Sequence, residues 1–322
     1  MQHAPFEQIA DGIYCIETGL YRHGLAACYL ICSEDRLAFV DTGTDHTAPG
    51  LLGVIAAIGL TPEHVDYVIP THVHLDHAGG SGRLMAACPN ARLVVHPNGV
   101  RHMVDPSKLI AGATAVYGEE GFEKDYGTLI PVPEERVIAA EDGQTFALGS
   151  RTLTFVDTPG HANHHGCILD SVTQGFFTGD TFGIAYREFE TGKGPWMFAP
   201  ATPVAFDPDA WMASLDKLMA FEPQAMYLTH YGPVENPAAL VDDLRQSIRD
   251  LASLALVEEG RDDPERRERL KTAITQYLIE GARAHGVDYE NARIRELLTL
   301  DTELNSQGLE VWLKRREKRA AA

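Results

Sequence analysis

With 322 residues, 44% of them hydrophobic and 23% charged, the chain has enough apolar material for one large soluble domain and a substantial appendage. A formal net charge of -19 argues against a polyanionic partner, because nucleic acid and anionic membrane surfaces are held mainly through Lys and Arg. The five cysteines (Cys15, Cys28, Cys32, Cys88 and Cys167) are odd in number and lack a CxxC pair, which argues against a disulfide framework and a thiolate zinc site.

The stretch MQHAPFEQIADG has neither the basic nor the apolar region of a signal peptide, and no apolar run reaches membrane-spanning length. A reducing cytoplasm is the expected setting. Short strand-like runs follow: FEQIA, the turn Asp11-Gly12, IYCIET, AACYLIC and RLAFVDTG, a spacing that predicts a meander. Cys28 and Cys32 lie four apart in AACYLIC and so share one face, as buried free thiols. The period then changes. HTAPGLLGVIAAIGL has helical spacing, and VDYVIPT is a continuous apolar run of the buried-strand kind.

AGGSGRLMAAC predicts a helix and ARLVVHP a strand, which makes a strand–helix–strand–helix alternation. Within 98–135, RHMVDPSKLIAGATAVYGEE predicts helix before a Gly- and Pro-containing tail. Strands resume with RVIAA, QTFAL, RTLTFVDT, GCILD and GFFTGD. Two halves that each open on antiparallel strands predict two stacked sheets flanked by helices. Residues 182–206 form a long aromatic loop punctuated by Gly and Pro, of the kind that carries function.

From about residue 236 three amphipathic patterns predict helices: PAALVDDLRQSIRDLASLALVEEG, PERRERLKTAITQYLIEGARAHG and ENARIRELLTLDTELNSQGLEVWLKRREKR. The expected division is an α/β domain over 1–235 and a helical extension over 236–322, a cap or a dimerisation element. The terminal KRREKR reads as a solvated helix end beside the negative end of the macrodipole.

The densest chemistry is THVHLDHAGG at 71–80, directly after the apolar VDYVI. His72 and His74, two apart in extended chain, project the same way. Asp76 and His77 follow at a helix start, where an aspartate also suits the dipole. Four N and O donors are too many for one tetrahedral ion that keeps an open position, so two ions sharing the cluster are expected. Three further donors end strand-like runs before Gly-containing turns: His161 in VDTPGHANHHG, Asp180 in FFTGDTF and His230 in MYLTHYGPV. Asp180 is suited to placing one oxygen on each ion.

The ordered set TxHxHxDH, PGH, GD and a late THYG resembles the metallo-β-lactamase fold superfamily of binuclear hydrolases, and LAFVDTG, with Asp41, resembles its first motif. The resemblance implies an αββα sandwich with metals at one edge. It also implies one metal on His72, His74 and His161, the other on Asp76, His77 and His230, Asp180 bridging, and Asp41 supporting the site without binding metal. True zinc β-lactamases lack a bridging aspartate where Asp180 stands, so antibiotic hydrolysis is not expected. Flavin-linked di-iron members carry a glutamate where His74 sits. The helical tail is similar to that of glyoxalase II and related thioesterases, without a residue-level match to their glutathione-binding set.

The expected activity is hydrolysis of a small ester-type substrate, thioester or lactone, by a metal-bridging hydroxide, with Asp76 and Asp180 as catalytic groups. Two divalent ions are the expected cofactor: zinc first, iron or manganese as alternatives. The alternative functions are a di-iron oxidoreductase acting on oxygen or a sulfur species, and a non-catalytic metal-bound sensor. The expected partner is a small molecule, without nucleic acid or membrane, and the C-terminal helices are a candidate homodimer surface. His165, Trp196, Phe198 and Tyr231 are candidates for the substrate pocket, with core packing or hydrogen bonding as the competing account. His164 is read as a hydrogen-bonder or solvent-facing residue, and His96 and His102 as surface or core residues.

Overall fold

The computed structural model describes residues 3–202 and 204–320, so Pro203 of the aromatic loop and the last two residues of the predicted tail lie outside the described residues. Strands β1 (Phe6–Ala10) and β2 (Ile13–Glu17) turn on Asp11-Gly12, and β3 (Ala27–Ser33) and β4 (Arg36–Val40) turn on Glu34-Asp35. Both turn residues of the second hairpin have positive φ, 50° and 62°, which matches the right-handed twist of the paired strands. These four strands are the antiparallel meander expected from the sequence.

Direction then changes. β5 (Val65–Ile69), β6 (Arg92–Val95) and β7 (Val137–Ala139) run parallel to β4, each reached through helical crossovers. The crossovers hold α1 (Ala48–Ala57), α2 (Leu75–Ala78), α3 (Ser81–Ala87), α4 (Pro97–Val104) and α5 (Ser107–Tyr126). Asp105-Pro106 separates α4 from α5, and α5 is kinked at Gly118, where φ is 74°. The first sheet thus has the sequential order β1 to β7.

The second sheet contains β8 (Thr145–Leu148), β9 (Arg151–Asp157), β10 (Gly166–Asp170), β11 (Gly175–Gly179), β12 (Ala225–Leu228) and β13 (Gly232–Glu235), again in sequential order. All its pairs are antiparallel except β11 with β12. β13 was not among the expected strands, since GPVE carries no alternation of its own. It forms because Gly232 turns the chain back onto β12.

Alternation along β3 shows why the run is apolar throughout. Ala27, Tyr29 and Ile31 join Phe155, Ile168, Phe177 and Tyr227 in the layer between the sheets. Cys28, Leu30 and Cys32 pack with Leu51, Val54, Leu84 and Met85 of the helices on the other face. Each large side chain in these layers contributes roughly 1.5–3 kcal/mol by leaving water. Cys28 and Cys32 do share a face; Cys28 is buried, and Cys32 is half-buried.

Both sheets and α1–α5 belong to one compact unit, residues 3–157, 164–179 and 222–235. The second unit comprises 158–163, 180–221 and 236–320. It holds α6 (Pro208–Met219), α7 (Pro237–Leu256), α8 (Arg266–His285), α9 (Asn291–Leu297) and α10 (Thr299–Ala320). α6 was not anticipated, although Asp207 caps it by accepting from Ala210 N–H and Trp211, Ser214, Leu215 and Leu218 are its buried stripe. The third predicted tail helix is two, broken at Leu298. Its basic end is only partly a solvated one: the Arg316 guanidinium lies 5.0 Å over the Trp312 ring, and Arg315 donates to the Phe206 carbonyl. The architecture is two mixed sheets flanked by helices, an α/β sandwich with a C-terminal helical region. No helix among the described residues is long and apolar enough to cross a membrane.

Candidate metal centre

β5 delivers the chain to Thr71, and the next residues carry the imidazoles. His72 is fully buried and extended chain carries on to His74, whose φ and ψ of -66° and 151° leave it just outside α2. His72 Nε2 and His74 Nδ1 converge to 2.8 Å. One turn of helix then brings Asp76 and His77 round. His77 is fully buried, whereas the Asp76 side chain keeps 28% of its exposure.

Asp41, at the end of β4, lies directly behind this turn. Its carboxylate accepts from Thr71 N–H (2.7 Å), from Thr71 Oγ1 (2.9 Å) and from Thr229 Oγ1 (2.6 Å), and stands 2.8 Å from His77 Nδ1. The turn sits against the 42–44 segment so closely that a Cβ on Gly80 would fall 2.5 Å from Thr42 O and 2.7 Å from Thr44 O. Glycine at position 80 is therefore a packing requirement.

His230, after β12, faces Asp76. Its Nε2 is 3.2 Å from Asp76 Oδ2, and its Nδ1 is 2.7 Å from the Leu25 carbonyl. Asp76, His77 and His230 each offer one donor atom, all within 4.8 Å of one another. Burial pushes the Asp76 carboxyl up, but the neighbouring His77 and His230 more than offset it and hold the group well below the usual carboxylate range. Asp76 is thus an anion, the form a metal needs. Burial, reinforced by the Asp41 charge, pushes the Cys28 thiol well up, so it is no thiolate donor.

In the second unit, His161 and Asp180 form a pair of their own. His161 Nε2 lies 3.3 Å from Asp180 Oδ2, and its Nδ1 lies 2.9 Å from the Pro200 carbonyl. The Trp211 ring stands edge-on to His161 at 5.6 Å, and its Nε1–H donates to Thr181 O at 2.7 Å. Trp211 therefore supports His161 directly and holds Thr181, the residue next to Asp180. Its signal in the sequence was the Asp207-Pro208 helix start followed by apolar residues at helical spacing.

The tautomers test whether these side chains fit a cation. A carbonyl only accepts, so His161 and His230 carry their hydrogen on Nδ1, and Asp41 places that of His77 there too. Each Nε2 is then left facing a carboxylate oxygen, at 3.2–3.4 Å. A neutral ring there would turn its lone pair on a negative oxygen. Either a proton or a shared cation removes that conflict. Protonation would put two like charges on the buried His77 and His230 rings, 5.4 Å apart. A cation resolves it without that repulsion, with Asp41 as the carboxylate behind a ligating imidazole. The His/Asp clusters fit a divalent metal.

The other candidates are placed as follows. His165 is fully buried with its ring stacked on His72 at 4.7 Å, and its Nε2 would be 2.7 Å from a Cβ on Gly179, where φ is 48°. His164 is half-buried, and its Nδ1 faces the Val73 N–H at 3.4 Å. The Tyr231 hydroxyl donates to Glu17 Oε2 at 3.2 Å. Phe198 is buried and packs on Trp196 at 5.1 Å, while Trp196 is half-buried against Phe189 and Gly281. His96 caps α4 through Asn98 N–H and pairs with Asp157, and His102 is half-buried near His164.

Known proteins resemble the chain to differing extents. Metallo-beta-lactamase fold-containing protein ST1585 of Sulfurisphaera tokodaii is 27% identical over 228 residues, 70% of this chain and 79% of that protein. The crystal structure of ST1585 from Sulfolobus tokodaii matches with a TM-score of 0.65 at 23% identity, covering 94% of this chain and 99% of that one. The N-acyl homoserine lactonase AttM of Agrobacterium fabrum is 32% identical over 120 residues, 37% of this chain and 41% of that enzyme. The atrochrysone carboxyl ACP thioesterase of Aspergillus fumigatus is 29% identical over 180 residues, 55% of this chain and 42% of that enzyme. The matches thus span less than half of these last two enzymes. A family model of the metallo-beta-lactamase superfamily matches residues 22–230, the interval that carries every candidate metal donor described above, and the chain belongs to that superfamily.

Proposed function

We propose that this chain is a binuclear metal-dependent hydrolase of small ester-type substrates, thioesters or lactones. The observation that carries the reading is the set of three imidazole Nε2 atoms turned on carboxylate oxygens with their Nδ1 positions already engaged. One ion is assigned to His72, His74 and His161 and the other to Asp76, His77 and His230, with Asp180 shared; the mutual proximity of Asp76, His77 and His230 supports the second set. When bound, such ions polarise a carbonyl and lower the pKa of water towards neutrality.

The protein's own part is orientation and proton handling. Leu25 and Pro200 carbonyls and the Asp41 carboxylate fix three rings with Nε2 forward. Asp76 stays ionised at working pH; as the tetrahedral adduct collapses and its bond to the alkoxide or thiolate breaks, Asp180 takes the proton of the adduct's hydroxyl and passes it to the departing group, leaving a carboxylate product. An acyl carbonyl is the feature shared by the substrates of the related lactonase and thioesterase, and it supports this reading of the substrate class. The helices from residue 236 onward serve as a cap or a dimer surface.

The test joins metal analysis to a substrate panel. Protein purified without added metal is expected to hold close to two zinc ions and to hydrolyse a thioester or lactone. His74→Ala and Asp76→Ala are expected to lose both turnover and metal. Full activity in the metal-free protein, or two irons with visible absorption and no hydrolysis, would overturn the reading.

A further inference from the structure

β2 ends on Glu17, and residues 18–26 then loop out before β3 begins. The base of the loop is closed by Thr18, whose N–H and Oγ1 both donate to the Ala26 carbonyl at 3.2 and 2.9 Å. Glu17 itself is only 6% exposed. A buried carboxylate is costly without donors, and this one has them from both ends of the loop. Gly19 N–H donates to Oε1 at 3.0 Å and Gly24 N–H to Oε2 at 2.8 Å, both glycines having positive φ. His23 Nδ1 lies 2.9 Å from Oε2. A further donor is remote in sequence: the Tyr231 hydroxyl, at 3.2 Å.

That last contact links the loop to the donor set. Tyr231 follows His230, and Leu25, whose carbonyl faces His230 Nδ1 at 2.7 Å, follows Gly24. Ala27 N–H donates to Thr229 O at 2.8 Å on the other side. The Leu25–His230 contact is therefore flanked by Glu17 bonds to Gly24 and to Tyr231. An anchor serving the loop alone would have no use for the Tyr231 bond.

We propose that Glu17 is a positioning residue: its buried carboxylate holds loop 18–26 and Tyr231 in register, so that the Leu25 carbonyl keeps His230 in the Nδ1–H tautomer with Nε2 towards Asp76. The consequence for ion binding rests on the metal-dependent reading above, whereas the tautomer is a property of the metal-free chain.

The experiment records imidazole nitrogen NMR of the metal-free protein and then titrates zinc calorimetrically. In the parent, His230 is expected as the Nδ1–H tautomer. Glu17→Ala is expected to mix the two tautomers and to weaken one of two zinc sites by about tenfold or more, as loss of a ligand-orienting group does, leaving the other site unchanged. Glu17→Gln keeps the size and one acceptor oxygen and is expected to lie between. A folded Glu17→Ala with an unaltered His230 tautomer would overturn the proposal. Should that variant not fold, Glu17→Gln and Tyr231→Phe decide by the same spectrum, and an unchanged tautomer in both overturns it. A parent that binds no zinc, while its His230 tautomer still responds to Glu17→Ala, would sink the metal-dependent reading and leave this proposal standing.

Discussion

Asp41 stands at φ 55°, in the left-handed region where a non-glycine residue costs roughly 1–2 kcal/mol. The strain has a return. From that backbone position one carboxylate reaches Thr71, His77 and Thr229, residues from two separate stretches of chain. Asp41→Asn replaces one acceptor oxygen by a donor and should lower zinc affinity by about 10–100-fold, measured by competition with a chromophoric chelator, with little change in far-UV dichroism. Much of the donor set was legible in the sequence, because histidines and aspartates crowded at strand ends have few other uses. Its supports were not. Thr229, Leu25, Pro200 and Trp211 are ordinary residues, and each matters through contacts that the fold makes across tens of residues or more.

The helices show a second kind of legibility. Amphipathic period placed α1, α7 and α8, but α6 was passed over because it follows a loop read as aromatic and irregular, and the α9–α10 break at Leu298 has no Gly or Pro to mark it. Within α7–α10 many of the polar contacts are ionic. Arg266, fully buried, donates to Glu317, Arg267 to Glu310 and Lys271 to Glu303. Hydrogen bonds from Lys271 and Gln307 lower Glu303; those from Arg266 and the Gly260 N–H lower Glu317. Burial pushes Glu310 up, but Lys314 and Arg267 more than offset it.

A carboxyl with a depressed folded pKa stabilises the fold above its ordinary value of 4.5 and loses that contribution as pH falls through the lower folded one. Thermal melts followed by far-UV dichroism should therefore show stability declining as pH falls below about 4.5, and Arg266→Met should flatten that decline. Exposed members of the network contribute little, so the effect should centre on the buried Arg266. An acid limb unchanged in Arg266→Met would refute this assignment.

At the scale of the whole molecule, the predicted two-sheet sandwich is present, while strand order lay beyond the sequence because pairing depends on crossovers that leave no local pattern. If the donors bind metal as proposed, folding and binding are linked. Zinc held at 100 times its dissociation constant should stabilise the protein by about 2.7 kcal/mol per site. Chelation should lower the melting temperature, and zinc should restore it; a melt indifferent to chelator would count against a metal held by the folded state.

Both sheets have short strands at their edges. β1 has five residues, β7 three, β8 four and β13 four, against seven in β3 and β9. β13 also carries Pro233, which has no N–H to offer a newcomer. A foreign strand therefore finds little to add to, and edge-to-edge aggregation is discouraged.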